Sequence, residues 1–455
     1  MSTSTRSTKL ENSGSTRAAK ATKSRFLSKL SLIALTIVAT GGVLAGVVWL
    51  QEQPVRQAEK LLQEGLLEQE KAAEEGREIE SAKIRDAYHT ISEYLEKRPS
   101  DSRALALQAR VLLYFNRPEE AIEIFERVGA NTLAELQDFA RCFIAIEDYE
   151  HAIPLLEQVL REDPSYSDAL YEVSTCRGRV GLFKEALESA EVFAAQPGNE
   201  AKGYLLLSSI YVELKNRPSA IAAFSKVLEF EPEAENLGIP PWQFYFLYGG
   251  ILLENGESDK GLPYLEKSLQ MERHPDTYTR IGECHATSGD TQKAEAAWRM
   301  ALGISPNYLP AVENLANLEL SRGNPEGAIE LMEPFKDGVN SSTLAYVFQR
   351  AYLAQGNQEE ADKWKEKSET LRKGETLVTV INDVLTDQPN SMWGIALRAH
   401  RSGAKGDWDQ ADQLFSRIKV TDDSYPFLKE LQVAVQQKRV ELLPRLELLP
   451  IDIQE

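Results

Sequence analysis

Three cysteines and five histidines hold most of what this 455-residue chain could use for metal or nucleophilic chemistry. The histidines, His89, His151, His274, His285 and His400, form no HExxH and no Cys/His zinc spacing. Cys284 and His285 are adjacent, but neighbours on a helix point about 100° apart, which disfavours joint coordination. There is no glycine-rich phosphate loop and no GxSxG elbow. Carboxylates abound, and with a formal net charge of −19 they are expected to form a solvated face. No catalytic constellation, metal set or cofactor motif emerges, so the chain is read as non-enzymatic, with no cofactor and no metal.

The cysteines nevertheless share a spacing. Cys142, Cys176 and Cys284 each stand ten residues before a small residue, at Ala152, Ala186 and Ala294. That small residue recurs at Ala87, Ala121, Ala152, Ala186, Ala220, Gly261, Ala294, Ala328, Ala361 and Ala411, with most intervals close to 34. Residues 200–232 show what it marks. Tyr204, Leu207, Ser208 and Tyr211 form one apolar run at helical spacing; Ala220, Phe224 and Val227 form a second. Asn216-Arg217-Pro218 separates the two runs. Two helices this short cannot bury their stripes alone, because isolated helices of about 12–15 residues are marginal in water. They require like neighbours, so the chain is predicted to be a stack of helical hairpins.

Tyr278-Thr279-Arg280-Ile281-Gly282, His285, Ala294, Trp298, Ala301 and Pro306 carry a resemblance to the tetratricopeptide repeat (TPR) family, as do the units around Tyr204 and Ala220, and closing prolines fall at Pro99, Pro164, Pro232 and Pro306. The resemblance covers about residues 68 to 420. It implies an all-α fold, a right-handed superhelical solenoid of TPR hairpins, with an array over 82–373, divergent TPR-like helices over 374–437 and a tail or cap over 438–455. An insertion near 233–241 and an extra apolar segment, Leu377, Val380, Ile381, Val384 and Leu385, interrupt the period; the second is expected to add a helix. The family usually has alanine where the three cysteines stand, so they read as small apolar fillers. Equivalent sites in adjacent hairpins lie about 8–10 Å apart, too far for a Cys142–Cys176 disulfide.

Ahead of the repeats, residues 1–29 hold seven Lys or Arg against Glu11, a charge of +6, which leaves −25 on the other 426 residues. Such a body opposes general nucleic-acid binding. Residues 1–29 are predicted to be a disordered basic tail. Leu30 to Leu50 has no charge for 21 residues, the length of a membrane-spanning helix. The run is longer than a signal-peptide core and is expected to be an uncleaved signal-anchor, preceding the solenoid as one transmembrane helix. The positive-inside rule then leaves the tail cytoplasmic and the repeats on the non-cytoplasmic, periplasm-like face of the cell membrane. Gly42 and Gly46 have the GxxxG spacing that lets two membrane helices pack as a homodimer, although glycine is common in such helices. Residues 51–81 are predicted to be a charged juxtamembrane helix.

The resemblance also implies a concave groove lined by the first helix of each hairpin, where protein or peptide partners bind. On its register Arg103, Arg110, Arg141 and Arg179 face the groove in the early units, and Leu205, Val212, Phe246 and Leu253 in the middle ones. A basic patch beside an apolar one suits a peptide with acidic groups. The family's Lys/Asn clamp for a terminal carboxylate is not visible. The expected role is a membrane-anchored scaffold for protein partners or, alternatively, an accessory subunit that positions an enzyme in a membrane-bound maturation, secretion or envelope-assembly complex.

Overall fold

The computed structural model describes residues 53–69, 71–72, 81–421 and 424–450, and these contain helices and connections but no strand. The chain divides into two compact units, Met1–Ala130 and Asn131–Glu455. The proposed membrane span, with Gly42 and Gly46, lies outside the described residues. Among the described residues no helix is long and apolar enough to cross a membrane.

In the first unit, α1 (53–69) is followed by α2 (Ala82–Lys97), α3 (Ser102–Tyr114) and α4 (Pro118–Val128). Over 53–69, within the stretch read as a charged juxtamembrane helix, the chain is helical and one face of that helix is packed. Val55, Ala58 and Leu62 of α1 are buried with Ile84, Ala87 and Ile91 of α2 in one core. The packed helices of this unit therefore begin with α1, ahead of residue 82. The apolar stripe at 55, 58 and 62 has the i, i+3, i+7 spacing of a packed helix face, and the surrounding charges obscure it.

The second unit contains the hairpins α5 (Leu133–Ala145) with α6 (Tyr149–Glu162), α7 (Ser167–Arg179) with α8 (Phe183–Ala194), and α9 (Glu200–Glu213) with α10 (Arg217–Phe230). Next come α11 (Pro241–Glu254) with α12 (Ser258–Met271), α13 (Pro275–Thr287) with α14 (Thr291–Ile304), and α15 (Leu309–Ser321) with α16 (Pro325–Met332). The last are α17 (Ser342–Ala354) with α18 (Gln358–Asp387), and α19 (Met392–Ala404) with α20 (Trp408–Phe415), before α21 (Pro426–Gln437).

One turn joins the helices of every hairpin from α3/α4 onward. Two residues after the first helix the backbone enters the left-handed region, at Asn116, Glu147, Gly181, Lys215, Gly256, Gly289, Gly323, Gly356 and Gly406. The next residue donates its N–H to the carbonyl five positions earlier, as in Asp148 to Phe143 at 2.8 Å and Asp407 to Ser402 at 2.9 Å. This is a Schellman closure. That same residue caps the second helix, and the Oδ1 atoms of Asp148, Asn216, Asp290, Asn324, Asn357 and Asp407 accept backbone N–H groups of the following turn. Five residues beyond each left-handed position stands the small marker residue, and each marker is buried, Ala361 being 2% exposed and the other alanines 0%. These positions let the two helices of a hairpin cross closely.

The C-terminal region departs from the sequence reading. The apolar segment over 377–385 does not add a helix; it extends the second helix of its hairpin, so α18 is 30 residues long. No Pro or Gly signal breaks the chain between Gln358 and Asp387 except Gly374, which a helix tolerates at about 1 kcal/mol. The predicted boundary at 373/374 thus falls inside one helix. Val384 and Leu385 join Trp393, Leu414, Phe415 and Phe427 in the last core, and Leu443, Leu446 and Leu449 of the tail pack on it.

Candidate functional site

The first helices of neighbouring hairpins are linked by a ladder of polar contacts. Arg141 on α5 donates from Nε to Glu172 Oε1 on α7 at 2.6 Å and pairs with Asp168 at 3.3 Å and Asp138 at 3.5 Å. Gln137 Nε2 donates to the other oxygen of Glu172 at 3.1 Å. Arg280 on α13 reaches Glu254 on α11 at 3.1 Å, Asn314 on α15 donates to Glu283 on α13 at 3.2 Å, and Arg350 on α17 donates to Asn317 on α15 at 2.9 Å. Burial raises the Glu172 carboxyl above its ordinary value and outweighs the lowering effect of Arg141. Much of the charge on this face is therefore used between repeats.

The arginines of the expected basic patch are distributed accordingly. Arg103 and Arg110 belong to the first unit, where Arg103 pairs with Glu59 at 3.3 Å. Arg141 and Arg179 belong to the second. Arg141 is held by carboxylates, and exposed Arg179 lines a cavity of about 530 Å³. That cavity lies between α7 and α9 on one side and α18 and α19 on the other, with Ser174, Ser209, Asn382, Asp383 and Arg401 in its wall.

The second unit thus returns upon itself. Lys215, in the turn after α9, reaches Asp383 of α18 at 2.9 Å. Lys405 Nζ donates to the Glu147 carbonyl at 2.9 Å across 258 residues of sequence. Beside it, His151 lies between Asp148 and Asp407. No local sequence pattern signals these pairs, because the partners belong to hairpins four repeats apart for Lys215 and Asp383 and seven apart for the other two.

The apolar residues divide into two places. Leu205 packs partly buried against the core around Phe224 and Phe244, and Val212 is 40% exposed. Phe246 and Leu253, on α11, line a surface pocket of about 290 Å³ with Glu254, Asp276, Arg280, Glu283, Tyr308 and Pro310. The Arg280 guanidinium lies 5.1 Å from the centroid of the Phe246 ring. Gly250 makes room for it, since a Cβ there would stand 2.6 Å from Arg280 Nη1. Tyr308 hydrogen-bonds Asp276, and burial followed by that bond raises the phenol well above its ordinary value. Three carboxylates against one guanidinium leave the rim at −2. Sequence reading identified Phe246 and Leu253 but missed Arg280, although Arg280 stands in the quoted Tyr278–Gly282 stretch; its contacts Phe246 and Glu254 lie on α11, one hairpin back.

The three cysteines are buried and free. Burial pushes the Cys142 and Cys176 thiols up to about 12 and that of Cys284 up to about 11, so they lack the thiolate character of reactive cysteines.

Comparison with known proteins matches this architecture to named relatives. Tetratricopeptide repeat models match residues 77–132 and 201–233. Over 289 residues the chain is 25% identical to anaphase-promoting complex subunit 7 of Arabidopsis thaliana, a match covering 61% of this chain and 50% of that protein. Over 308 residues it is 22% identical to the TPR repeat-containing protein YpiA of Bacillus subtilis (strain 168), covering 65% and 69%. Among solved structures, the C-terminal part of a TPR repeat-containing protein from Cytophaga hutchinsonii aligns with 18% identity and a TM-score of 0.42, covering 51% of this chain and 94% of that one.

Proposed function

We propose that this chain, which carries tetratricopeptide repeats, is a non-catalytic scaffold that holds a protein partner through the face of α11, α13 and α15. The pocket around Phe246 supports this reading. It combines an apolar floor, an aromatic ring with a guanidinium on it and an acidic rim, the mixture that recognises an extended peptide by one apolar anchor and nearby charge. Because the rim carries −2, the peptide is one with Lys or Arg beside an apolar residue. The acidic peptide suggested by the early arginines is disfavoured, since Glu172, Asp168 and Asp138 already answer Arg141.

The uncharged run from Leu30 to Leu50, behind seven basic residues, supports a membrane anchor with the repeats on the non-cytoplasmic face. The scaffold then works at a membrane surface, and Gly42 and Gly46 supply a packing face for a second copy. Deleting residues 30–50 should move the chain from the membrane fraction to the supernatant; retention in the pellet would remove the anchor.

The peptide site is tested by placing a photo-crosslinking amino acid at Leu253 in the full chain and, separately, at Met300, an exposed residue of α14. Capture of one discrete partner from Leu253 and not from Met300 is expected. Equal capture from both would sink the site.

A further inference from the structure

We infer that Asp148, His151 and Asp407 form a binding site for a divalent transition-metal ion, Zn²⁺ by the character of its donors, that fastens hairpin α5/α6 to hairpin α19/α20. The three ligand atoms, one imidazole nitrogen and two carboxylate oxygens, lie within 4.8 Å of one another. Two of these residues are only three positions apart; the third comes from a turn 256 residues further on.

The repeat itself explains why these atoms converge. Asp148 and Asp407 occupy the same position in two copies of the hairpin turn, each the N-cap of a second helix. In each, one oxygen is committed: Asp148 Oδ1 to the His151 N–H at 3.4 Å and Asp407 Oδ1 to the Gln410 N–H at 3.1 Å. Capping therefore fixes both carboxylates and leaves their Oδ2 atoms to meet one imidazole. His151 Nδ1 is 2.8 Å from Asp148 Oδ2 and 3.6 Å from Asp407 Oδ2. Phe143 stacks on the imidazole at 5.3 Å and holds its plane.

The two contacts of His151 differ: Nδ1 to Asp148 Oδ2 at 2.8 Å is a hydrogen bond, which a bound ion would replace. At 3.6 Å the Asp407 contact is too long for a hydrogen bond, yet it matches the spacing of two ligands on one ion. Oxygen and nitrogen ligands at about 2.0–2.2 Å in a tetrahedral shell stand roughly 3.3–3.6 Å apart. The two carboxylates carry −2, a charge that a divalent ion bound to the deprotonated ring cancels. Other charged groups nearby are Glu150, Lys405 on the Glu147 carbonyl, and Arg401 in the same cleft wall. Imidazole with carboxylate favours zinc or a neighbouring transition metal over Ca²⁺ or Mg²⁺, which prefer all-oxygen sets. The ligand atoms' residues are only half-buried, so an ion and a completing water can enter. The catalogue of HExxH and Cys/His spacings could not find this site, because its third ligand becomes a neighbour only through the repeat stack.

The test uses the purified full chain, stripped with a chelator, with Zn²⁺ and then Co²⁺ as the probes at mildly alkaline pH, where the ligands are deprotonated. One equivalent of Zn²⁺ should bind and raise the melting temperature, and Co²⁺ should develop visible absorption bands. Asp407→Asn keeps a capping side chain and should weaken binding about tenfold or more, as should His151→Ala, while His89→Ala at an exposed histidine should change nothing. Zinc binding unaltered by Asp407→Asn would place the ion on the local Asp148–His151 pair and overturn the clasp. Absence of any stoichiometric binding to the wild type would overturn the site outright.

Discussion

A Cβ built on Gly261 would stand 2.6 Å from the carbonyl oxygen of Gly249, and one built on Gly249 would stand 2.9 Å from the carbonyl oxygen of Gly261. Helices α11 and α12 therefore touch backbone to backbone. Gly261 is the one glycine among ten marker residues that are otherwise alanine, and its crossing has no room for a methyl group. Gly261→Ala should destabilise the chain by about 1–3 kcal/mol, because a backbone atom cannot rotate away as a side chain would. Gly303, on α14 with nothing within 4 Å of its added Cβ, is the control: Gly303→Ala should stabilise by about 0.5–1 kcal/mol. Urea melts of the two variants measure the difference in sign.

The hairpin turn makes a second prediction. Six of its nine left-handed positions are glycine, and Glu147 holds φ 58° at one of the others. A non-glycine residue there costs about 1–2 kcal/mol, while glycine has a larger unfolded-state entropy to lose. The Glu147 side chain is exposed, and its carbonyl, which receives Lys405, survives substitution. Glu147→Gly should thus raise stability by about 0.5–1 kcal/mol, read as a higher urea midpoint at unchanged slope. A lower midpoint would mean that the glutamate side chain contributes more than the backbone strain costs.

Local order was legible in the sequence, and long-range closure was not. Ala121, Ala152 and their equivalents announced the hairpins because burial at a close helix crossing restricts residue size directly. The glycine five residues before most of them carried the same period and went unread, since Asn116, Glu147 and Lys215 interrupt it. Charge misled at α1, where Glu and Lys around Leu61 and Leu62 concealed a packed face. It misled again at Arg141, which faces carboxylates of the next hairpin. A side chain's partner one repeat away can be guessed from register. The meeting of Lys405 with Glu147 depends on curvature summed over seven repeats, which no single repeat states.

The C-terminal tail should be sensitive to mild acid. His400 Nε2 lies 3.0 Å from the Pro444 carbonyl, and the ring stacks on Phe427 at 5.7 Å. Burial holds the imidazole below its ordinary value of 6.5, against the smaller opposing effect of the Pro444 bond. The unfolded form then binds the proton more readily than the folded one. The stability linked to His400 is complete above 6.5 and is lost as the pH falls from there through the lowered folded value. Amide hydrogen exchange in α21 and residues 439–450 should accelerate, beyond the intrinsic change, between about pH 7.5 and 5.5. His400→Gln should flatten that dependence; an identical dependence in the variant would assign it to another group.

The Phe246 pocket can be disturbed without deleting either of its contact groups. Gly250→Ala would place a methyl 2.6 Å from Arg280 Nη1 and drive the guanidinium off the Phe246 ring. The ion pair with Glu254 would shift with it. An apolar anchor alone would tolerate this change. A peptide read by both the ring and the acidic rim would not, because the displaced guanidinium enters the space of the incoming basic side chain. Crosslinking from Leu253 should therefore fall about tenfold, the equivalent of roughly 1.4 kcal/mol, with helical content unchanged by circular dichroism. Raising ionic strength from about 0.05 to 0.5 M should also weaken capture by the wild type, since the partly exposed rim is screened within a Debye length of about 10 Å or less. Capture that strengthens with salt would show an apolar partner and remove the charge from the recognition.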